Sequence, residues 1–470
     1  MNALLPSSGK LVDKMLILKW SVTILIPVML YCIPVSEVFT AQIRMFLCVT
    51  LFVLLMMVFE FFDTMILGIM LPVLYIVTGV APASVAFSGW LNTVGYIVIG
   101  ALLFANVLME TGVLHRLSYW VMMKAGGSYN KMLYAFLILG TIVTYVTFGN
   151  CSKLMPTIAF GFCLALGMEH RKEGVILMMI SGVCSITCRL LTYYPVQMGP
   201  MVAAAQTIDP NFSIQWYQPI LYGWPILVFC VGYVWVLTKI YRTKHSDISG
   251  GKAYFEEEYK KLGKMTTNEK KGVIYAIVII GYLFTSQWHG FSVDYAFMFL
   301  PWLAFIPGIQ LAGSETLKKL KNQVGLIFFI VGCLGIGLVA ASLNATDLLG
   351  QILTPMLANF SGIGVLYCVL ALGALGNLLL TPLALITCFS LPVVQIASNL
   401  GMDLLAPLLA LYYTVDMLFL PHEVPAYLYI YSFGVMSMKQ FIGLHVLKNI
   451  LFLIFFGLIL VPYWMLLGIF

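Results

Sequence analysis

The chain has 470 residues, 61% of them hydrophobic and only 9% charged, with a mean hydropathy of +0.98. Soluble domains carry roughly 25% charged residues, so this composition excludes an ordinary soluble domain and reads as an integral membrane protein. The net charge of +6 does not indicate nucleic acid, because Lys and Arg gather in a few loops, as cytoplasmic loops of membrane proteins do.

Several apolar stretches reach the roughly 20 residues that a helix needs to cross a bilayer, and no alternating pattern suggests a barrel. The fold class expected is therefore an all-α polytopic membrane protein. Residues 1–40 hold Lys10, Lys14 and Lys19 before an apolar run with no small-residue cleavage site. They read as a retained N-terminal helix rather than a signal peptide. Spans are predicted near 15–33, 42–58, 61–80 and 91–111, followed by a loop with His115, Arg116, Lys124 and Lys131 that should be cytoplasmic. Arg44, in a loop read as external, is the one charge that disagrees.

The apolar region 132–168 is interrupted by Gly149-Asn150-Cys151-Ser152-Lys153 and is basic on both flanks. Equal flanks mean that it enters and leaves on one face, so a re-entrant hairpin with its tip at the break is predicted. Spans at 174–200 and 217–238 then lead to the hydrophilic linker 239–271, with nine Lys or Arg and Glu256-Glu257-Glu258. Its charges read as a solvated face. Spans near 272–287, 294–311 and 323–344 follow, then a region from Asn344 to Asp403 without Lys or Arg. This region is read as an outward hairpin over 363–400 with its tip near Asn377. The span from 404 is broken at Pro421 and Pro425, reaches the inside near Lys439, and a last helix runs from about 449. The prediction is eleven crossings and two hairpins, with the N-terminus inside and the C-terminus outside a cytoplasmic membrane.

Spacing suggests a repeat. Asn150 and Asn377 lie 227 positions apart, as do Arg189 and Asp416, and Asn92-Thr93-Val94-Gly95 precedes Asn322-Gln323-Val324-Gly325 by 230. With an odd number of crossings in each half, 41–238 and 272–470 would be inverted repeats, one hairpin opening inward and the other outward.

Hairpin tips expose unpaired N–H and C=O groups that suit anions and cations respectively. Asn150 and Asn377 would serve both, although an Asn-Gly turn alone has ordinary turn chemistry. Arg189 follows Ser185 and Thr187 in an interrupted span. An intramembrane Arg costs roughly 2.5–3.5 kcal/mol on insertion scales, so it reads either as a bidentate anion receptor or as a structural partner of Asp416. Lys153 would contact substrate, replace a cation, or extend to the cytoplasm. His422-Glu423 is a proton-coupling site or a solvated pair at the inner helix end. The substrate set is thus Asn150, Ser152, Arg189, Asn377 and Thr381. The cation set is Gly149, Asn150, Ser185, Thr187, Gly376, Asn377, Pro421 and Glu423. Position 426 is Ala, so His422-Glu423 opens no zinc pair, and no phosphate loop or nucleophile elbow occurs. Neither an enzyme nor a metal site is expected. The ten cysteines fall in apolar segments or at the first tip, where small buried thiols rather than disulfides are the rule.

The run Gly79-Val80-Ala81-Pro82-Ala83-Ser84-Val85-Ala86-Phe87-Ser88-Gly89, the stretch Gly100 to Gly112, Gly126-Gly127 and the first tip resemble the divalent anion:sodium symporter family of the ion transporter superfamily. That resemblance implies a homodimer carrying a di- or tricarboxylate, or sulfate, with Na+ as coupling ion and no other cofactor, by an elevator motion. It also implies a Ser-Asn-Thr motif at each tip, of which Asn150 and Asn377 remain while Gly149, Gly376, Cys151 and Leu378 replace the flanks. The added cations Lys153 and Arg189 leave a second reading open, a sodium-independent exchanger or proton-coupled carrier in which fixed charges replace ions.

Overall fold

The computed structural model describes residues 14–59, 61–91, 93–124, 128–149, 153–165, 167–242, 249–289, 291–292, 294–343, 345, 360–378 and 380–470. The described elements are helices throughout, as the hydropathy requires: backbone polar groups withdrawn from water close their bonds within each segment. Five helices are long and apolar enough to span a membrane on their own, namely Thr93–Thr111, Tyr129–Val146, Lys172–Ala205, Pro382–Asn399 and Met438–Leu467. Nine shorter apolar helices accompany them, and two of these, Gly362–Asn377 and Leu405–Thr414, build the site below.

The helices pack in two sets. In one, Thr64–Val77 lies on Val324–Ser342 and Lys14–Tyr31 on Ala41–Val58. In the other, Tyr129–Val146 packs on Val183–Thr187 and Cys188–Leu191, Leu154–Ala165 on Lys172–Gly182, and Gly362–Asn377 on Leu405–Thr414. Pro195–Ala205 and Pro382–Asn399 pack on each other and both touch Val324–Ser342, which joins the sets. Two close approaches decide the seating of the paired helices. A Cβ at Gly140 would meet Cys184 Cβ at 2.3 Å, and one at Gly373 would meet Thr414 Oγ1 at 2.4 Å, so only glycine fits either position.

Four details differ from the sequence reading. The segment 112–131, expected as a loop, contains the helix Val113–Lys124. The linker 239–271 is not merely a solvated face, since its helix Ser249–Lys261 packs on Val113–Lys124 and buries Phe255 against Phe162 at 4.8 Å. Arg116 Nε donates to Glu269 Oε1 at 2.8 Å, and its other nitrogens bond Gly263 O and Leu262 O, so these charges clamp the linker. The expected span 294–311 is broken into Tyr295–Met298 and the 3-10 turn Leu300–Phe305, because Pro301 and Pro307 cannot continue a helix. The last helix starts at Met438, capped by Ser437 through Gln440 N, and not near 449.

Candidate functional site

The first tip is shaped by two successive residues in the left-handed region, Phe148 at φ 49° and Gly149 at φ 80°. For a side-chain-bearing residue this conformation costs roughly 1–2 kcal/mol. Burial of Phe148 edge-on against Phe297, with ring centroids 4.8 Å apart, offsets that cost. Gly149 N donates to Thr144 O at 2.8 Å, which closes the end of the helix. A Cβ at Gly149 would collide with Arg189 Cγ at 2.6 Å and Tyr194 Cδ2 at 2.9 Å. The tip therefore lies directly on the stem of Arg189. Asn150 and Ser152 fall outside the described residues. Lys153 is exposed and stands 5.8 Å from the Tyr429 ring, and the structure does not bring it into the buried cluster described next.

Beneath this tip the helix Lys172–Gly182 widens to a π turn at Val183–Thr187, tightens to a 3-10 turn at Cys188–Leu191, and is extended at Thr192 and Tyr194. Two irregular carbonyls are met by hydroxyls, Cys184 O by Thr144 Oγ1 and Arg189 O by Thr192 Oγ1, while Ser185 Oγ turns back to Ser181 O of the preceding helix. Arg189 is 8% exposed, stacks over Tyr194 at 4.8 Å, and its Nε has no hydrogen-bond partner among the described residues. The alternative of a structural pair between Arg189 and Asp416 is not what the structure contains, because Asp416 is engaged elsewhere.

The second tip ends the helix Gly362–Asn377. Gly376 faces Leu385, and Thr381 is the exposed N-cap of Pro382–Asn399. Asn377 is buried and donates through Nδ2 to Thr414 O at 2.6 Å, while its Oδ1 has no partner among the described residues. Thr414 ends its helix, and up to Pro425 the chain forms only a 3-10 turn at Pro421–Glu423. Inside this break Asp416 binds Lys448 Nζ at 2.6 Å and accepts from Thr187 Oγ1 at 2.5 Å, with Tyr427 OH 3.3 Å away. Glu423 is buried and its carboxylate accepts Phe419 N and Leu420 N, so it caps the break rather than forming a solvated pair. Pro421 is buried in the same turn. The structure thus ties Thr187 of one break to Asp416 of the other, Asn377 of the second tip to Thr414 at the start of that second break, and Glu423 to the main chain within it. The bonds Thr187 to Asp416 and Tyr412 OH to Arg189 O, the latter at 3.3 Å, join the two breaks.

Sequence reasoning missed Lys448, Asn449 and Gln197. Lys448 and Asn449 are 1% and 3% exposed in the last helix, and Asn449 Nδ2 donates to Leu418 O at 2.9 Å. Their signal was a polar pair inside the apolar run 441–470, obscured by starting that helix at 449. Gln197 is buried one turn after Tyr194 with Oε1 unpartnered among the described residues. No cluster of three metal-ligating side chains occurs among the described residues.

With respect to known proteins, no curated relative matches. The fold is shared with the YdaH transporter of Alcanivorax borkumensis, at 15% identity, TM-score 0.53, covering 79% of this chain and 85% of that one. It is also shared with MtrF of Neisseria gonorrhoeae, at 13% identity, TM-score 0.52 and coverages of 81% and 82%. At such identities the likeness concerns architecture alone. A family model describing the sodium:sulfate symporter transmembrane region matches residues 14–470. The chain therefore belongs to the sodium:sulfate symporter family, the divalent anion:sodium symporters, and is a polytopic membrane transporter of anions.

Proposed function

We propose that this chain is a secondary active carrier of small divalent anions, a di- or tricarboxylate or sulfate, and that it works by an elevator motion of the hairpins and broken helices against the remaining helices. The observation that carries this reading is Arg189. A guanidinium withdrawn from water, packed on a tip and with an Nε that has no partner among the described residues, is poised for a charge-assisted bond to an anion. Asn377 Oδ1 and Gln197 Oε1, acceptors without a partner among the described residues, suit a hydroxyl-bearing or protonated substrate. Asn150, Ser152 and Thr381 complete the set. The two glycine contacts, Gly140 on Cys184 and Gly373 on Thr414, support inverted repeats in which each hairpin rides on its own broken helix. A homodimer in the cytoplasmic membrane is the assembly this reading entails.

Membership of the family makes sodium-coupled symport the first reading of energetics. A coupling cation would use oxygens around Gly149, Ser185 and Thr187 at the first tip. A second reading, sodium-independent exchange or proton coupling, is favoured by one observation. Three main-chain carbonyls at the second break, Thr414 O, Asp416 O and Leu418 O, already accept from protein donors.

Reconstituted protein should show counterflow of labelled succinate or sulfate into vesicles preloaded with the unlabelled anion, which a channel does not support. Asn150→Ala and Asn377→Ala should each abolish it while leaving folded protein. Counterflow of both anions unchanged in the two variants would sink the shared site. Uptake compared in Na+, in K+ and under an imposed pH gradient separates the two readings of coupling.

A further inference from the structure

An unwound helix in a membrane leaves carbonyls that need either a cation or a donor. At the first break two of them find hydroxyls. At the second break the donors include a charge. Lys448 Nζ lies 2.6 Å from Asp416 Oδ1 and 2.8 Å from Asp416 O, so one ammonium bridges the carboxylate and the main chain of the same unwound residue. Asn377 Nδ2 takes Thr414 O at 2.6 Å and Asn449 Nδ2 takes Leu418 O at 2.9 Å. Thr187 Oγ1 reaches Asp416 Oδ2 and Tyr427 OH lies 3.3 Å from Oδ1. The ammonium itself meets a carboxylate oxygen and a main-chain carbonyl, the two hydroxyls turn to the same carboxylate, and the Tyr427 ring lies 5.7 Å from Nζ. That donor set is what an alkali cation would select, since hard cations take carboxylate and carbonyl oxygens.

We infer that Lys448 is a tethered cation that occupies this position permanently, so that the second break binds no coupling ion. Sodium does not fit there. It would need the oxygens that the ammonium holds, and would sit beside a like charge in a place from which water is excluded. The inference rests on reading the two breaks as the carrier's site and adds that its cation requirement is built into the last helix. Any coupling cation is then confined to the first tip, and each substrate moves with one mobile cation fewer than two equivalent breaks would require.

The prediction inverts the usual effect of losing a charged partner. In Lys448→Ala the same oxygens become vacant and an alkali cation replaces the ammonium. The test is the melting temperature of purified full-length protein in NaCl, LiCl, KCl and choline chloride at equal ionic strength. Lys448→Ala should melt below wild type in choline and gain about 2–5 °C from NaCl over and above the wild-type response. Adding Asp416→Asn to that variant should remove the gain. A NaCl response in Lys448→Ala no larger than that of wild type overturns the inference. If Lys448→Ala does not fold, the charge-neutral double variant Lys448→Met with Asp416→Asn decides. It should keep the wild-type NaCl response, and loss of that response would mean that sodium does bind the second break beside Lys448. Melting in sulfate or succinate, with Arg189→Gln as control, reads the anion site independently. Failure of that arm strikes the proposed substrate and leaves the cation result standing.

Discussion

The two breaks do the same geometric work with opposite electrostatics. The first, Val183 to Tyr194, stays wound through π and 3-10 turns, meets two of its carbonyls with neutral hydroxyls, and leaves the Arg189 Nε without a partner among the described residues. The second, Val415 to Val424, keeps only a 3-10 turn at Pro421–Glu423, and its carboxylate, its main-chain carbonyls and its capping glutamate are met by an ammonium, by two amide Nδ2 groups and by backbone N–H groups. The first break thus carries a guanidinium with no carboxylate partner among the described residues, and the second a neutralised pair. The lesson is that two interrupted helices of one chain need not share a role. On the proposed function, one would be the receptor and the other a closed joint.

The comparison is broken most severely at Asp416. Removing the carboxylate by Asp416→Ala strands an ammonium that is 1% exposed, and losing one partner of a buried pair costs about 3–5 kcal/mol. The purified variant should melt well below wild type, and Asp416→Asn with Lys448→Met should recover most of the loss. If single and double variants melt alike, the pair is not what closes the second break. Arg189→Gln should behave the other way. It orphans no ion partner, so melting stays close to wild type. Succinate or sulfate counterflow should fall about 100-fold, the worth of a charge-assisted bond of roughly 1.5–3 kcal/mol. Arg189→Lys should restore little, since an ammonium lacks the planar fork. A large loss of stability with intact counterflow would make Arg189 a strut rather than a receptor.

A smaller effect compares the two hairpin seats. Gly140→Ala drives a methyl into Cys184 Cβ, and Gly373→Ala drives one into Thr414; overpacking of this kind costs typically about 1–3 kcal/mol. Gly373→Ala should be the worse for transport, because Thr414 O is the acceptor that positions Asn377. Thr414→Ser, which removes the methyl at Cγ2 while keeping the hydroxyl, should relieve it in part. Equal counterflow defects at both glycines would mean that the hairpins depend on their seats equally.

Much of this arrangement was legible before any coordinates. Gly149-Asn150, Gly376-Asn377, Pro421 and Pro425 punctuate apolar runs that would otherwise continue, and the helices do stop at Val146, Asn377 and Thr414. The partners of the charges were not legible. Equal spacing of Arg189 and Asp416 in two halves says that they hold corresponding positions, not that they touch. Lys448 pairs with Asp416 across 32 residues, and no local pattern announces a contact between two separate helices. The linker was misread for a related reason. Charge runs in loops usually face water, and only the structure shows Arg116 closing on main-chain carbonyls and Glu269.

That clamp supplies the smallest expected effect, outside the membrane segments and distant from both breaks. Its Arg116 hydrogen bond, aided by Thr266 donors and opposed by burial, holds the Glu269 carboxyl below the usual carboxylate range. A depressed folded value means that the contribution is complete above the unfolded pKa of about 4.3 and is lost as pH falls through the folded value. Between pH 8 and 5 the linker should therefore resist protease equally, and cleavage should accelerate only below about pH 4. Glu269→Gln removes the charge at every pH. Its linker should be cut several-fold faster at pH 7 and show no further acid dependence from this residue. Because Phe255 stays packed on Phe162, counterflow should change little. A large transport defect in Glu269→Gln would instead tie the linker helix to the motion of the first hairpin, whose second arm carries Phe162, and so extend the asymmetry of the two breaks to the cytoplasmic surface.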